Sequence, residues 1–280
     1  MRIFLLISLL FVSIKALAQI NIVASIKPIH SIASAITQNV GKVDVLLDTQ
    51  QSAHFFHLKP SQMALINRAD LVIAVHPKLE EGLDKVLKSL NPDKLLYVVN
   101  NDASPTINQN KINYHAWLNI DNMQQFAYQL TSKLSTLYPD KKSIFLKNFE
   151  QLKYRLQQLK AHNKQQLSQS NTVALISYSN ALDPYIDSMG LNHIGSVVDN
   201  HHQKLSVKTM LKARKLIKAN KARCLVSTME ISTKRTQAIA EGFNIRHAHI
   251  DIIGFEFDKG AQLYFKLINA ITAEVKSCLQ

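Results

Sequence analysis

Two histidines, His54 and His57, lie close together in residues 51–61, whose sequence is QSAHFFHLKPS. This segment follows an apolar, strand-like run and precedes Pro60, a residue that favours the first turn of a helix. Loops in this position carry ligand-contacting groups in α/β proteins. Imidazole nitrogens are good ligands for zinc. The segment therefore predicts a binding site, with a metal ion as a natural occupant.

Other histidines also stand where they could contribute to a metal site. His76 directly follows the apolar run 70–75, at the end of a predicted strand. His247 and His249 alternate along a predicted strand and therefore point to the same face. His201 and His202 form an adjacent pair. For both pairs, surface exposure is the alternative to metal binding.

Strand and helix signals alternate on both sides of a long helical stretch. In the first part, apolar runs predict strands over residues 21–26, 42–47, 70–75 and 94–99, separated by helices that include 79–90. In the second part, strands are predicted over 172–177, 194–198, 223–228 and 246–250. This alternation predicts an α/β fold of two lobes, each a four-stranded, mostly parallel sheet with flanking helices.

The two lobes are expected to be joined by one long, rigid helix. Residues 139–166 repeat apolar side chains at helical spacing and contain neither glycine nor proline after Pro139. The predicted organisation is a signal peptide over 1–18, a first lobe over 19–135, a connecting helix over 136–170 and a second lobe over 171–280. Residues 100–113 are polar and predict a loop.

The first eighteen residues have the pattern of a secretory leader. Arg2 precedes an almost wholly apolar run, and Ala16-Leu17-Ala18 resembles a cleavage site before Gln19. No cysteine stands at the predicted cleavage point, so we expect an exported periplasmic protein that is not a lipoprotein. In an oxidising compartment Cys224 and Cys278 would form a disulfide, the alternative being two buried thiols.

The formal charge is +13, and removal of Arg2 and Lys15 with the leader lowers it by two, to +11. Such a balance can indicate nucleic acid as a partner. The lysines are dispersed over helical faces, however, and no aromatic-basic RNA motif occurs. A solvated basic surface and no nucleic-acid partner are therefore expected.

Four motifs in order resemble the ZnuA family, the periplasmic zinc-binding components of bacterial ABC importers. The motifs are VASIKP from Val23, SAHFFHLKPS from Ser52, NRADLVI from Asn67 and YHAWLN from Tyr114. The resemblance covers essentially the whole mature chain and extends to the cysteine pair, which resembles the disulfide of the family's second lobe. It implies a monomeric carrier that docks on an importer's permease and ATPase.

The resemblance also implies metal ligands. His54 matches the metal-binding histidine of the first loop, and His115 matches that of the H-x-W-L motif. The position of the third ligand, a histidine in zinc relatives, is occupied here by Ser179, whose neutral hydroxyl is a poor zinc ligand. Asp251 resembles an aspartate that binds metal in manganese relatives, with a helix-capping carboxylate as the alternative. His57 and His76 are further candidates.

These observations predict zinc capture and transport, with no enzymatic activity. A divergent paralogue that binds zinc or manganese weakly, or acts as a metallochaperone, is the first alternative, although two imidazoles and few carboxylates disfavour manganese. A zinc hydrolase is a remote alternative, because the His54-Phe55-Phe56-His57 run lacks the acid of H-E-x-x-H and no nucleophile motif occurs.

Overall fold

The computed structural model describes residues 19–48, 51–55, 57–99, 107–108, 111–199, 203 and 205–280. These residues form two four-stranded sheets and one short two-stranded ribbon. The predicted leader and the His201-His202 pair lie outside the described residues. Of the described helices, none is both long and apolar enough to cross a membrane.

The first sheet has the strand order β2-β1-β3-β4, and all of its pairings are parallel. Its strands are β1 (Ile20–Ile26), β2 (Gly41–Leu47), β3 (Leu71–Ala74) and β4 (Leu95–Tyr97). The helices of this lobe are α1 (Lys27–Ile36), α2 (Pro60–Arg68) and α3 (Asp84–Ser89). Near-continuous burial of β1 and β3 matches the apolar runs that predicted them, as expected for strands covered on both faces.

The helix predicted over residues 79–90 is much shorter in the structure. A 3-10 turn, Glu81–Leu83, precedes the six-residue α3. Gly82 disfavours a helix at this point. The Glu80 carboxylate instead accepts hydrogen bonds from the backbone nitrogens of Val75 (2.7 Å) and His76 (3.2 Å), which closes a turn after β3.

The segment predicted as a loop over residues 100–113 contains a two-stranded antiparallel ribbon. Its strands are β5 (Ile107–Asn108) and β6 (Lys111–Ile112), with Ile107 opposite Ile112. Helix α4 (Ile120–Leu137) follows, and the Asn119 side chain caps its start by accepting hydrogen bonds from the first backbone nitrogens.

The long connecting helix is present as α5 (Lys142–Leu167), which follows a 3-10 turn at Pro139–Lys141. With 26 residues, α5 is about 39 Å long at the usual rise per residue. Its buried stripe recurs at intervals of three or four residues and comprises Phe145, Phe149, Leu152, Leu156, Leu159, Asn163 and Leu167. Because this stripe packs against α1 and α4, α5 is part of the core rather than a free linker.

The second sheet has the strand order β10-β9-β7-β8, again with parallel pairings. Its strands are β7 (Leu175–Ser179), β8 (His193–Val198), β9 (Cys224–Thr228) and β10 (Arg246–Ile250). Its helices are α6 (Asp183–Met189), α7 (Val207–Asn220), α8 (Thr233–Ala240) and α9 (Leu263–Leu279). The predicted fold class is confirmed.

One buried apolar cluster runs through both lobes and includes residues from β1, α5, β9 and α9. Helix α9 packs against α1 and α5 as well as against its own sheet. Specific polar contacts reinforce this packing: the Asn148 side chain on α5 donates to the Ile36 carbonyl (2.9 Å), and Asn163 donates to Asn269 on α9 (3.0 Å). Helix α5 is therefore fixed to helices of both lobes.

The predicted disulfide between Cys224 and Cys278 is confirmed. It joins the first residue of β9 to the last turn of α9, with Cα atoms 5.3 Å apart and a sequence separation of 54. The side chain of Arg246, at the start of β10, donates to the Cys278 carbonyl (3.0 Å). The bond therefore fastens the last helix to the start of an inner strand of the second sheet.

His247 and His249 face the same side of β10, as alternation predicts, and their ring centroids are 4.1 Å apart. Both rings contact the Ser227 hydroxyl, at 3.1 Å and 3.2 Å, and His247 also contacts Thr236 (3.4 Å). Burial, followed by the neighbouring His249, lowers the pKa of His247 to about 4. The pair thus belongs to the polar packing between β10, β9 and α8.

Replacement of both cysteines by serine should destabilise the protein, because the crosslink no longer restricts the unfolded chain. We expect the free energy of unfolding to fall by about 2–4 kcal/mol in urea titrations. Wild-type protein treated with a reductant serves as the matched comparison and should show a similar loss. An unchanged midpoint in both would contradict a stabilising role for the Cys224–Cys278 bond.

The lowered pKa of His247 should make stability depend on pH. Because the folded state disfavours the charged ring, this contribution is present above the unfolded pKa of about 6.5 and is lost as the pH falls toward 4. Between pH 7 and pH 4 the wild type should lose more unfolding free energy than His247→Gln. His162→Gln, at an exposed position on α5, should follow the wild type. Parallel curves for all three proteins would contradict this assignment.

Candidate metal centre

The loop that carries His54 begins where β2 ends, at the carboxyl edge of the first sheet. The His54 side chain is buried, with 8% exposure, and its backbone nitrogen donates to the Ser52 hydroxyl (3.3 Å). Gln62 on α2 closes the other end of the loop: it accepts from the Lys59 backbone nitrogen (2.7 Å) and donates to the Leu46 carbonyl (2.6 Å). The loop is thus anchored to both β2 and α2.

His115 lies in a tightly held turn before α4. Its backbone nitrogen donates to the Asn113 side-chain oxygen (3.0 Å), and its ring nitrogen Nδ1 lies 3.1 Å from that oxygen. Trp117 follows in a 3-10 turn and donates from its indole nitrogen to the Ile252 carbonyl (2.7 Å). The Tyr264 hydroxyl donates to the Trp117 carbonyl (2.8 Å). This segment is therefore attached to the second lobe at two buried points.

The structure brings His54 and His115 together. Their ring centroids are 5.6 Å apart, and the ring planes are inclined at 49°. With Zn–N distances near 2.0 Å, two imidazoles on one tetrahedral ion have centroids about 5 Å apart. The separation of these two rings is therefore close to that needed to share one zinc ion, and neither side chain is more than 8% exposed.

His76 and His57 occupy different surroundings. His76 is buried and stacks on Tyr114, with ring centroids 4.4 Å apart, and its Nδ1 accepts from the Lys78 backbone nitrogen (3.0 Å). His76 therefore packs on Tyr114, the residue that precedes His115. His57 is exposed, in the second half of the His54 loop.

The candidate positions of the second lobe lie at the carboxyl ends of β7 and β10. Ser179 is the buried last residue of β7. Asp251 directly follows β10, and its carboxylate accepts from the backbone nitrogens of Ile253 (2.8 Å), Gly254 (2.8 Å) and Phe255 (2.6 Å). These bonds give Asp251 a structural role, because they shape the turn whose Ile252 carbonyl accepts from Trp117.

Among the residues that the structure describes, no three or more His, Cys, Asp or Glu side chains are grouped closely enough to hold a metal ion. His54 and His115 are thus the part of the predicted ligand set that the structure brings together. The ligand roles assigned to these two histidines and to Asp251, Ser179 and His57 remain predictions, as does the role of His76.

Two acidic residues that no sequence motif indicated lie near the His54 loop and His76. Glu230, in the loop after β9, lies within reach of Ser52 of the His54 loop, which favours the ionised carboxylate, but partial desolvation outweighs this effect and raises the pKa of its carboxyl group. Burial also raises the pKa of Glu80, behind His76, to about 7. Glu230 follows the carboxyl end of a strand, as Asp251 does, and that position is the signal that could have identified it.

Residues 22–278 match the family described as the periplasmic component A of the zinc-uptake complex. A curated relative, the high-affinity zinc uptake system protein ZnuA of Haemophilus ducreyi, is 24% identical, with 97% of each chain covered.

Solved structures share the fold at lower sequence identity. A crystal structure of ZnuA superposes with a TM-score of 0.79 at 18% identity and covers 94% of this chain and 100% of that one. The solute-binding protein FpvC of Pseudomonas aeruginosa, in complex with Ni²⁺, gives a TM-score of 0.80 at 16% identity, with coverage of 94% and 97%.

The family match extends over nearly all of the described chain, well beyond the four motifs. Members of this family are substrate-binding transport proteins and not enzymes, which confirms the expectation that the chain is not an enzyme. The chain belongs to the ZnuA family, the periplasmic A components of zinc-uptake complexes.

Proposed function

We propose that this chain captures zinc in the periplasm and delivers it to the permease and ATPase of an ABC-type importer. His54 and His115 are the ligands from the first lobe. The observation that carries the proposal is the pairing of these two buried imidazoles, 5.6 Å apart, on loops anchored by hydrogen bonds. The zinc-uptake relatives support the same cargo.

The chemistry of the donors favours zinc over manganese. Imidazole nitrogens suit zinc, whereas manganese prefers sites rich in carboxylate and other oxygen ligands. Asp251 is the carboxylate proposed for this site, and three backbone nitrogens already engage it. We propose that the remaining ligands of the zinc ion come from Asp251, from water or from a nearby side chain such as Ser179, His57 or His76.

The proposed division of the chain follows the fold. A leader over residues 1–18 directs export, a lobe over 19–135 provides both histidines, and a helical connection over 136–170 leads to a second lobe over 171–280. The attachment of α5 to helices of both lobes limits hinge motion. Metal uptake and release then rely on local changes in the loops around His54 and His115, and the carrier acts as a monomer.

A second candidate function is a weak zinc carrier or periplasmic metallochaperone. It is favoured by the neutral hydroxyl of Ser179 at the position of a third ligand and by the hydrogen bonds that engage Asp251. A site with only two imidazoles would hold zinc less tightly and transfer it more readily. The solved FpvC structure with Ni²⁺ indicates that this fold also accommodates other metals.

Removal of both imidazoles should abolish high-affinity binding. In the double variant His54→Ala/His115→Ala, zinc affinity measured by calorimetry should fall at least about 100-fold, because each lost ligand removes several kcal/mol of coordination energy. His162→Ala, at an exposed position on α5, serves as the matched control. If the double variant bound zinc as tightly as this control, the assignment of both ligands would be wrong.

A histidine at position 179 should strengthen the site. Ser179→His offers a third imidazole from the carboxyl end of β7, and we expect zinc affinity to rise by about tenfold or more in a competition assay with a chelator. Ser179→Ala should bind like the wild type, because the hydroxyl contributes little as a ligand. An unchanged affinity in the correctly folded Ser179→His variant would place residue 179 outside the metal's reach.

A further inference from the structure

The side-chain amide of Asn113 makes two contacts that determine its orientation. Its nitrogen Nδ2 donates to the backbone carbonyl of Asn180 (2.7 Å), and its oxygen Oδ1 accepts from the backbone nitrogen of His115 (3.0 Å). A carbonyl can only accept and a backbone N–H can only donate. Exchange of the amide oxygen and nitrogen would spoil both bonds, so one orientation is selected.

This orientation determines which nitrogen of His115 carries the proton. The ring nitrogen Nδ1 lies 3.1 Å from Asn113 Oδ1, an atom that can only accept. A hydrogen bond at this distance requires an N–H on Nδ1. In the neutral ring, the lone pair that can bind a metal then resides on Nε2.

We propose that Asn113 is a positioning residue that holds His115 in the Nδ1–H tautomer and so presents Nε2 to the metal ion. The proposal rests on the proposed function, in which His115 is a zinc ligand. Metal-binding histidines commonly donate their second ring nitrogen to an oxygen acceptor, which orients the ring and raises its basicity. Asn113 supplies that acceptor here.

The acceptor depends on the second lobe. Asn180 lies directly after Ser179, at the end of β7, whereas Asn113 and His115 belong to the first-lobe segment before α4. The Asn180 carbonyl orients the amide, and the amide in turn orients the ring. The affinity of a first-lobe ligand is thereby linked to the position of the second lobe.

A purely local role for Asn113 would leave two of these contacts unexplained. An asparagine side chain that accepts from the backbone nitrogen two residues later forms an ordinary Asx turn. Such a turn needs only the contact with the His115 backbone nitrogen. The contacts with the His115 ring and with Asn180 are additional, and they involve both ends of the same amide.

The test reads the tautomer of His115 in metal-free protein by ¹⁵N NMR of the imidazole nitrogens, with the signals assigned by comparison with His115→Gln. Wild type should show Nδ1 protonated and Nε2 unprotonated. Asn113→Ala should show a mixture of tautomers, because the acceptor is gone. Asn113→Asp should keep the Nδ1–H tautomer, because a carboxylate oxygen still accepts from the ring, although the variant loses the donation to the Asn180 carbonyl. This variant tests for rescue.

Asn148→Ala provides the matched control. It removes another asparagine that bridges two segments, through the Ile36 carbonyl, at a different place in the fold. It should leave the His115 tautomer unchanged. Zinc titrations of the same proteins should show an affinity loss of about 10- to 100-fold for Asn113→Ala and a smaller loss for Asn113→Asp.

The NMR result decides the role of Asn113, and the zinc titration of the wild type decides the proposed function. A single Nδ1–H tautomer in the wild type and in Asn113→Asp, but not in Asn113→Ala, supports the proposal. A single Nδ1–H tautomer in Asn113→Ala, or an Nε2–H tautomer in the wild type, overturns it, and the latter result requires no variant to fold. A wild type with the expected tautomer but no zinc binding would refute only the proposed function.

Discussion

The buried hydrogen bond from the Trp117 indole to the Ile252 carbonyl holds the His115 segment against the second lobe. Trp117 is 1% exposed, and its backbone carbonyl accepts a hydrogen bond from the hydroxyl of Tyr264 on α9. A donor left unpaired at this depth would cost about 1–3 kcal/mol, so the contact strongly favours one placement of the segment. Because His115 is two residues away, the position of its ring depends on this bond.

The same constraint indicates how such a protein could take up and release a metal ion. The lobes share one apolar cluster, and α5 is hydrogen-bonded to helices on both sides. Lys27, at the start of α1, adds bonds to the carbonyls of Phe255 and Phe257 beyond β10. Large hinge opening would break all of these contacts together. Smaller movements of the His54 loop, which carries the exposed Phe55, cost far less.

The sequence was sufficient to predict the sheets, because buried parallel strands are continuous apolar runs, and to predict the connecting helix from its repeating stripe. It also identified the two histidines that meet, through motifs whose order matches a known family. It could not show that Glu80 would bind back to the end of β3 and shorten the helix over 79–90. Nor could it show the hydrogen bonds of the Asp251 carboxylate, since these depend on the path of the following turn.

The proposed function depends on one zinc ion that binds between His54 and His115. The most direct test is anomalous diffraction at the zinc absorption edge from crystals of the zinc-loaded protein. We expect one strong peak about 2.0–2.1 Å from a ring nitrogen of each histidine, with Nε2 as the ligand atom of His115. A peak at another site, such as His247 and His249, with no density between His54 and His115, would contradict it.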